Sequence, residues 1–198
     1  MADLASNDIV GLVVSDPSLV EDAFEDLGAS SRLKRKNAAH FLNQIAQVEP
    51  GVLAPRISDF VAALDNREAQ TRWECLDALS ALVPFDSRAC DKAVNGAEVA
   101  LFDEDSGPLH LSAFRFLSVF GATTPMRSQR VWPLLDEAIQ CYHGDLEYSD
   151  MLSCMVNFTT GKISSAIKQE IYDRFEFDAK HAGVFSKKSQ AILDNVTA

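Results

Sequence analysis

The stretch Arg35-Lys36-Asn37-Ala38-Ala39-His40-Phe41-Leu42-Asn43-Gln44-Ile45 places Ala38, Ala39, Leu42 and Ile45 three, four, seven and ten residues after Arg35. That spacing gathers the four apolar side chains onto one face of a helix. A single such helix says little, but the pattern returns. At a lag of 37 residues it reads Arg72, Cys75, Leu76, Leu79, Leu82; a further 38 gives His110, Ala113, Phe114, Leu117, Phe120; another 38 gives Tyr148, Met151, Leu152, Met155, Phe158. The inner positions are apolar in all four copies, and a repeat of this length signals stacked helical units.

Working outward, each of these helices is preceded by a second amphipathic one. Val20, Phe24 and Leu27 match Ile57, Val61 and Leu64 at the same 37-residue lag, so the unit is a helix pair. Asp16-Pro17, Gly107-Pro108 and Thr124-Pro125 set a cap-competent residue before a proline whose missing N–H costs nothing in a first turn. Phe85, Asp86 and Cys90 have the spacing of a hydrophobic staple around an N-cap. Asp65-Asn66, the run from Asp103 to Gly107, and Gly144-Asp145 read as turns within pairs. The last pair, near Ser164 to Phe177 and Val184 to Val196, has its pattern diluted by Lys187, Lys188, Ser189 and Gln190, as expected of a terminal repeat whose outer face meets water. Leu4 to Val14 reads as an N-terminal cap helix.

The run Arg-x-x-Ala-Ala-x-x-Leu-x-x-Ile at Arg35 to Ile45, together with Leu64-Asp65 leading into Arg72-x-x-Cys-Leu-x-x-Leu-x-x-Leu, resembles the second helix of a HEAT-like, armadillo-type repeat. The resemblance spans about Pro17 to Val196. It implies an all-α fold, a right-handed α-α superhelix of helix pairs in which the second helix of each pair lines the concave face. It also implies one domain over 1–198: a cap segment at 1–16, repeats at about 17–50, 51–84, 85–122 and 123–160, and an atypical capping repeat at 161–198. Two departures stand out. His110 and Tyr148 replace the basic residue in copies three and four, which puts a continuous inter-repeat polar ladder in question, and Pro133 falls in a first helix, where it would introduce a kink.

Composition agrees with a globular helical protein. The 198 residues are 47% hydrophobic, with nine glycines and seven prolines spread along the chain, enough for a chain of this size to remove roughly 70% of its unfolded surface from water. The longest apolar stretch, Ile9 to Val14, is far short of a membrane span. Asp3 and Asp8 stand where an export signal would be basic, so the expected location is cytoplasmic. The net charge of −11 disfavours nucleic acid and anionic membranes. One local exception is Arg32, Lys34, Arg35 and Lys36, which is either a solvated helix start with one arginine in a polar ladder or a docking patch for an acidic peptide or nucleic acid. Asp103-Glu104-Asp105 reads as a solvated turn tip.

Chemistry-bearing residues are scattered. Cys75, Cys90, Cys141 and Cys154 have no metal-knuckle or redox spacing and sit in apolar helical contexts, as small buried hydrophobes. His40, His110, His143 and His181 fall in different repeats with no triad-like or metal-like neighbours. His143, Asp145, Glu147 and Asp150 read as an acidic turn. No phosphate loop or nucleophile elbow is present. No cofactor, metal or catalytic residue is expected.

Because the inward stripe fixes the outward one, Lys36, His40 and Asn43 should face water, with Trp73, Asp77 and Ser80, then Leu111, Arg115 and Ser118, then Ser149, Ser153 and Val156 in the matching places. The partner-binding residues drawn from this face are Lys36, His40, Trp73, Asp77, Leu111 and Arg115, a mixed surface with the aromatic and arginine anchors that dominate protein interfaces. Trp73 is either such an anchor or a wedge between repeats, whereas Trp132 reads as core. The expected function is a noncatalytic scaffold or adaptor holding a protein or peptide on its concave face. The resemblance also brings in the DNA alkylation repair glycosylases, which hold DNA on a similar solenoid; Asp77 beside Trp73 is the only combination that would serve base excision. Homo-oligomerisation through an exposed repeat edge is a third possibility.

Overall fold

The computed structural model describes residues 6–104, 106–181 and 183–198, and among them the chain is helical throughout with no strand. The helices are α1 (Ser6–Ser15), α2 (Ser18–Leu27), α3 (Arg32–Val48), α4 (Ile57–Ala63), α5 (Ala69–Cys90), α6 (Val94–Leu101), α7 (Gly107–Gly121), α8 (Pro125–Cys141), α9 (Tyr148–Thr159), α10 (Ser165–Lys180) and α11 (Ser186–Thr197). Short 3-10 turns precede α4 and α6. The pairs α2/α3, α4/α5, α6/α7, α8/α9 and α10/α11 follow the sequence repeat. Leu4 falls outside the described residues.

Two compact units make up the chain, residues 1–113 and 114–198, with the division falling inside α7. In the first, α2 packs on α4, α3 on α5, α2 on α3 and α4 on α5, giving two helical layers. Phe24 of α2 meets Phe60 of α4 edge-on at 5.4 Å, and the Arg56 guanidinium lies 4.3 Å over the Phe24 ring while bonding Glu21 at 2.5 Å and Asp59 at 2.8 Å. In the second unit, α8 packs on α10 and α9 on α11, again in two layers. Helical stacks of this kind bury a continuous core because each pair supplies a face its neighbour covers.

The repeat signature is that core. Every inner position of all four copies is buried, and the most exposed, Ala38, shows only 5% of its surface. Trp132 is buried as expected, and its indole Nε1 donates to Glu170 at 2.7 Å.

Helix boundaries follow local chemistry, with corrections. Thr124 caps α8 by accepting from the Arg127 N–H at 3.2 Å, Ser164 caps α10 by accepting from Ile167 at 3.3 Å, and the Asp16 carboxylate takes the Ser18 N–H at 3.1 Å. At α7 the cap is Ser106, one residue earlier than Gly107, with Leu109 donating at 3.4 Å. Near the end of α5 the backbone leaves helical geometry at Asp86, whose carboxylate accepts from Arg88 and Ala89 at 3.0 and 2.9 Å. That cap is as read, but the staple is not: Cys90 is fully buried while Phe85 is 56% exposed. By contrast, α8 continues past Pro133 to Cys141.

Two further expectations change. Asp103 is no solvated turn tip, because its carboxylate pairs with Arg72 at 2.8 Å; Asp105 lies outside the described residues. In α11, Ser189 is fully buried and donates to the Phe185 carbonyl, and Lys188 reaches the Ser149 carbonyl and hydroxyl of α9 at 2.5 and 2.8 Å. Lys188 ties the last pair to its neighbour and Ser189 lies in the interior, instead of facing water. Asn195 adds bonds to the Val156 carbonyl and the Thr159 hydroxyl, at 3.1 and 3.0 Å.

Candidate functional site

The second helices present the surface of interest, and the two units use it differently. In the first, α3 and α5 are stitched together across their outward stripes. Glu74 lies at the junction with 8% of its side chain exposed. His40 Nδ1 lies 2.9 Å from its Oε1, and Asn43 Nδ2 donates to its Oε2 at 2.7 Å. Gln47 Nε2 donates to Asn43 Oδ1 at 2.9 Å and reaches the Asp77 carbonyl at 3.5 Å. A carboxylate taken out of water needs such donors. His40 and Asn43 are therefore half-buried and committed to α5, where the periodicity placed them facing water.

Of the other expected partner-binding residues, Lys36 is exposed, and Trp73, Asp77 and Leu111 are half-buried, as is Arg115 on the same helix as Leu111 one turn later. Ser80 and Ser118 are buried, each hydroxyl turned back to the carbonyl four residues earlier, Leu76 and Phe114, at 2.8 Å. A short hydroxyl side chain can satisfy itself inside its own helix, which lets a polar position pass into the interior. Ser149, Ser153 and Val156 are half-buried.

The basic cluster divides. Lys34 bonds Asp26 at 2.7 Å, and Arg35 turns inward to Glu68 and to the Ala29 and Ser30 carbonyls at 2.7 and 2.9 Å. The Arg35 hydrogen bond, more than any other influence, holds the Glu68 carboxyl below the usual carboxylate range. Arg72 to Asp103 repeats this arrangement one pair later. In the third copy the His110 imidazole instead contacts the Asp103 carbonyl. In the fourth, Tyr148 is buried against His143 and Phe185, ring centroids 4.8 Å away in each case; burial, and after it the Asp178 charge, pushes its phenol up to about 12. The polar ladder thus runs through two copies and then gives way to aromatic packing.

In the second unit the corresponding surface is open. A pocket of about 580 Å³ lies between the later half of α7 and α9, lined on one side by Arg115, Ser118 and Val119 and on the other by Asp150, Cys154 and Asn157. Its volume is in the range of sites that take a small molecule or a partner side chain. Sequence spacing had marked Arg115, Ser118 and Ser153 on this face; Asp150 was read as part of an acidic turn, Cys154 as a buried hydrophobe, and Asn157 was not singled out, because all three border the gap between two helices, not one helix's outward stripe. Cys154 and Cys141 also differ from the other thiols: Cys75 and Cys90 are fully buried, Cys154 borders the pocket, and Cys141 is exposed. Among the described residues no group of three or more His, Cys, Asp or Glu side chains could hold a metal ion, and no helix is long and apolar enough to cross a membrane.

The sequence matches no protein-family model, and no curated protein matches it. Solved structures do match. A designed armadillo repeat protein in complex with the peptide (KR)4 superposes with a TM-score of 0.77 over 97% of this chain and 87% of that one, at 16% identity. The fold is that of the armadillo-type helical repeats. Computationally designed armadillo repeat proteins for modular peptide recognition give a TM-score of 0.72 at 17% identity, covering 96% of this chain and 86% of that one. A structure described as an engineered protein gives 0.75 at 15% identity over 98% of this chain and 85% of its own. At such identities the agreement concerns the path of the helices alone.

Proposed function

We propose that this protein is a noncatalytic scaffold that binds an extended protein or peptide segment along its second helices, with Lys36, His40, Trp73, Asp77, Leu111 and Arg115 belonging to the binding face. The observation that carries this reading is the 580 Å³ pocket between the later half of α7 and α9, bordered by Arg115 on the face that the repeat phase marks as outward. Armadillo-type designs similar in fold are described as being in complex with a peptide or made for peptide recognition. A net charge of −11 favours a segment that is not itself acidic. The scaffold reading also fits a surface whose polar groups are largely engaged with one another, as in the bonds of His40 and Asn43 to Glu74. His40 serves the face through Glu74, holding α3 and α5 in register.

The test is retention of the full chain on an array of immobilised decapeptides of varied composition. A subset should retain it, and Trp73→Ala combined with Arg115→Ala should lower that retention at least several-fold with the far-UV circular dichroism and thermal midpoint preserved. Unchanged retention in the double variant would show that the face is wrongly assigned; no retention by any peptide would remove the peptide-binding reading.

A further inference from the structure

The two units hold the same groove in two states. Matching the copies by the repeat lag, Arg115, Ser118, Val119 and Ala122 correspond to His40, Asn43, Gln44 and Gln47 of α3, and Asp150 corresponds to Glu74 of α5. In the α3–α5 groove those long polar side chains cross over, His40 and Asn43 to the Glu74 carboxylate and Gln47 towards Asp77. In the α7–α9 groove Ser118 and Ala122 stand where Asn43 and Gln47 cross, too short to do so, and Val119 stands in the place of Gln44. The space they vacate is the pocket. The carboxylate at the Glu74 position is still there, as Asp150, exposed and with no described residue donating a hydrogen bond to it.

We infer that the α7–α9 pocket takes a carboxamide side chain, glutamine or asparagine, from an extended partner segment, which supplies to Asp150 the hydrogen bond that Asn43 supplies to Glu74 within the molecule. This rests on the peptide-binding reading above and names the anchor residue of that segment. A carboxamide is singled out because the pocket offers both kinds of partner: the Asp150 carboxylate only accepts, whereas the Asn157 amide donates as well as accepts. An amide places a donor and an acceptor on one planar group and can satisfy both ends. A lysine or arginine head only donates, so it would satisfy Asp150 but leave the Asn157 N–H groups without an acceptor. An aliphatic side chain would desolvate Asp150 without replacing its hydrogen bonds, which is unfavourable. Val119, Cys154 and Phe158 provide the apolar wall for the methylene stem.

The experiment is a positional scan on an immobilised decapeptide that retains the protein, with each position varied in turn through Gln, Asn, Ala, Leu, Lys and Glu. One position should prefer Gln or Asn, with at least three-fold more protein retained than with Ala, Leu or Lys. Two variants then locate that preference. Asp150→Ala removes the acceptor at an exposed site, and Val119→Gln restores the side chain that α3 carries at Gln44; each should bring the Gln-to-Ala ratio close to one. Retention with a preference for Lys or Leu at every sensitive position would overturn the carboxamide assignment and leave peptide binding standing. A Gln preference that survives both variants would place the anchor elsewhere and equally overturn it. Absence of retention by any peptide would instead remove the reading on which the assignment rests.

Discussion

His40 and Glu74 meet at 2.9 Å across α3 and α5, and Asn43 closes on the other oxygen of the same carboxylate at 2.7 Å. The three side chains join two consecutive repeats at a point with little water. Removing the acceptor takes from His40 and Asn43 the carboxylate they share, and a lost buried hydrogen-bond partner costs about 1–3 kcal/mol. Glu74→Ala should therefore lower the urea midpoint by an amount in that range. Combined with Asn43→Ala it should show a non-additive coupling, since the two residues share one interaction. Strict additivity would mean that the bond contributes nothing to stability.

The Arg35–Glu68 pair gives a pH dependence. Its carboxyl is held below the usual range chiefly by the Arg35 hydrogen bond. A group whose pKa is depressed in the folded state contributes stability that is present above the unfolded carboxylate value, about 4.3 for glutamate, and is lost as pH falls through the folded value. Glu68→Gln should thus cost stability at pH 7 and progressively less as the pH falls below about 4. Urea midpoints of the two proteins, measured at steps from pH 7 to pH 3, should converge at the acid end. A constant gap across that range would show that Glu68 acts by packing and not by charge.

How far the sequence carried can be judged from the same residues. The inward stripe was legible because a 3.6-residue period dictates it, and Leu42, Leu76, Leu117 and Leu152 are all fully buried. The complementary stripe was less so. A position that turns away from its own repeat's core can still face the next repeat, which is why Asn43 proved half-buried and Ser80 and Ser118 buried. Partners such as His40 and Glu74 lie 34 residues apart, a separation that no local motif encodes. The pocket was the hardest to foresee, because it consists of what Ser118, Val119 and Ala122 lack. Only the repeat lag, comparing them with Asn43, Gln44 and Gln47, could have drawn attention to that corner.

Thiol reactivity should separate the four cysteines into three classes. Reaction requires the thiolate and access to it. Cys141 is exposed and should react with a disulfide reagent at a rate close to that of a free thiol. Cys154, 9% exposed and bordering the pocket, should react more slowly and be protected by a bound peptide. Cys75 and Cys90 are fully buried, and burial pushes the Cys75 thiol well up from its ordinary value, so both should react only as fast as the protein unfolds. Mass spectrometry of timed reactions reads all four. Rapid modification of Cys75 in the native protein would contradict the packing of α5.

Gly161 supplies the last prediction, because its neighbour is backbone. A methyl group there would lie 2.6 Å from the Ala122 carbonyl oxygen and 2.9 Å from its Cα, distances that no rotamer change can relieve. The adjacent Lys162 N–H donates to that same carbonyl at 2.7 Å, so the turn after α9 is pinned to the turn after α7 by a contact only glycine permits. Gly161→Ala must push the two turns apart, stretch that hydrogen bond and displace Ala122, which borders the pocket. Overpacking of this kind costs about 1–3 kcal/mol, and it should appear as a lowered thermal midpoint together with weaker peptide retention. Gly11→Ala is the contrasting control: it lies within α1 with nothing within 4 Å of the added methyl, and replacing glycine inside a helix stabilises by roughly 0.5–1 kcal/mol. A pair of variants that shift the midpoint in opposite directions, with only the first affecting binding, would tie the close approach of the two turns to the shape of the pocket; equal and neutral effects would break that link.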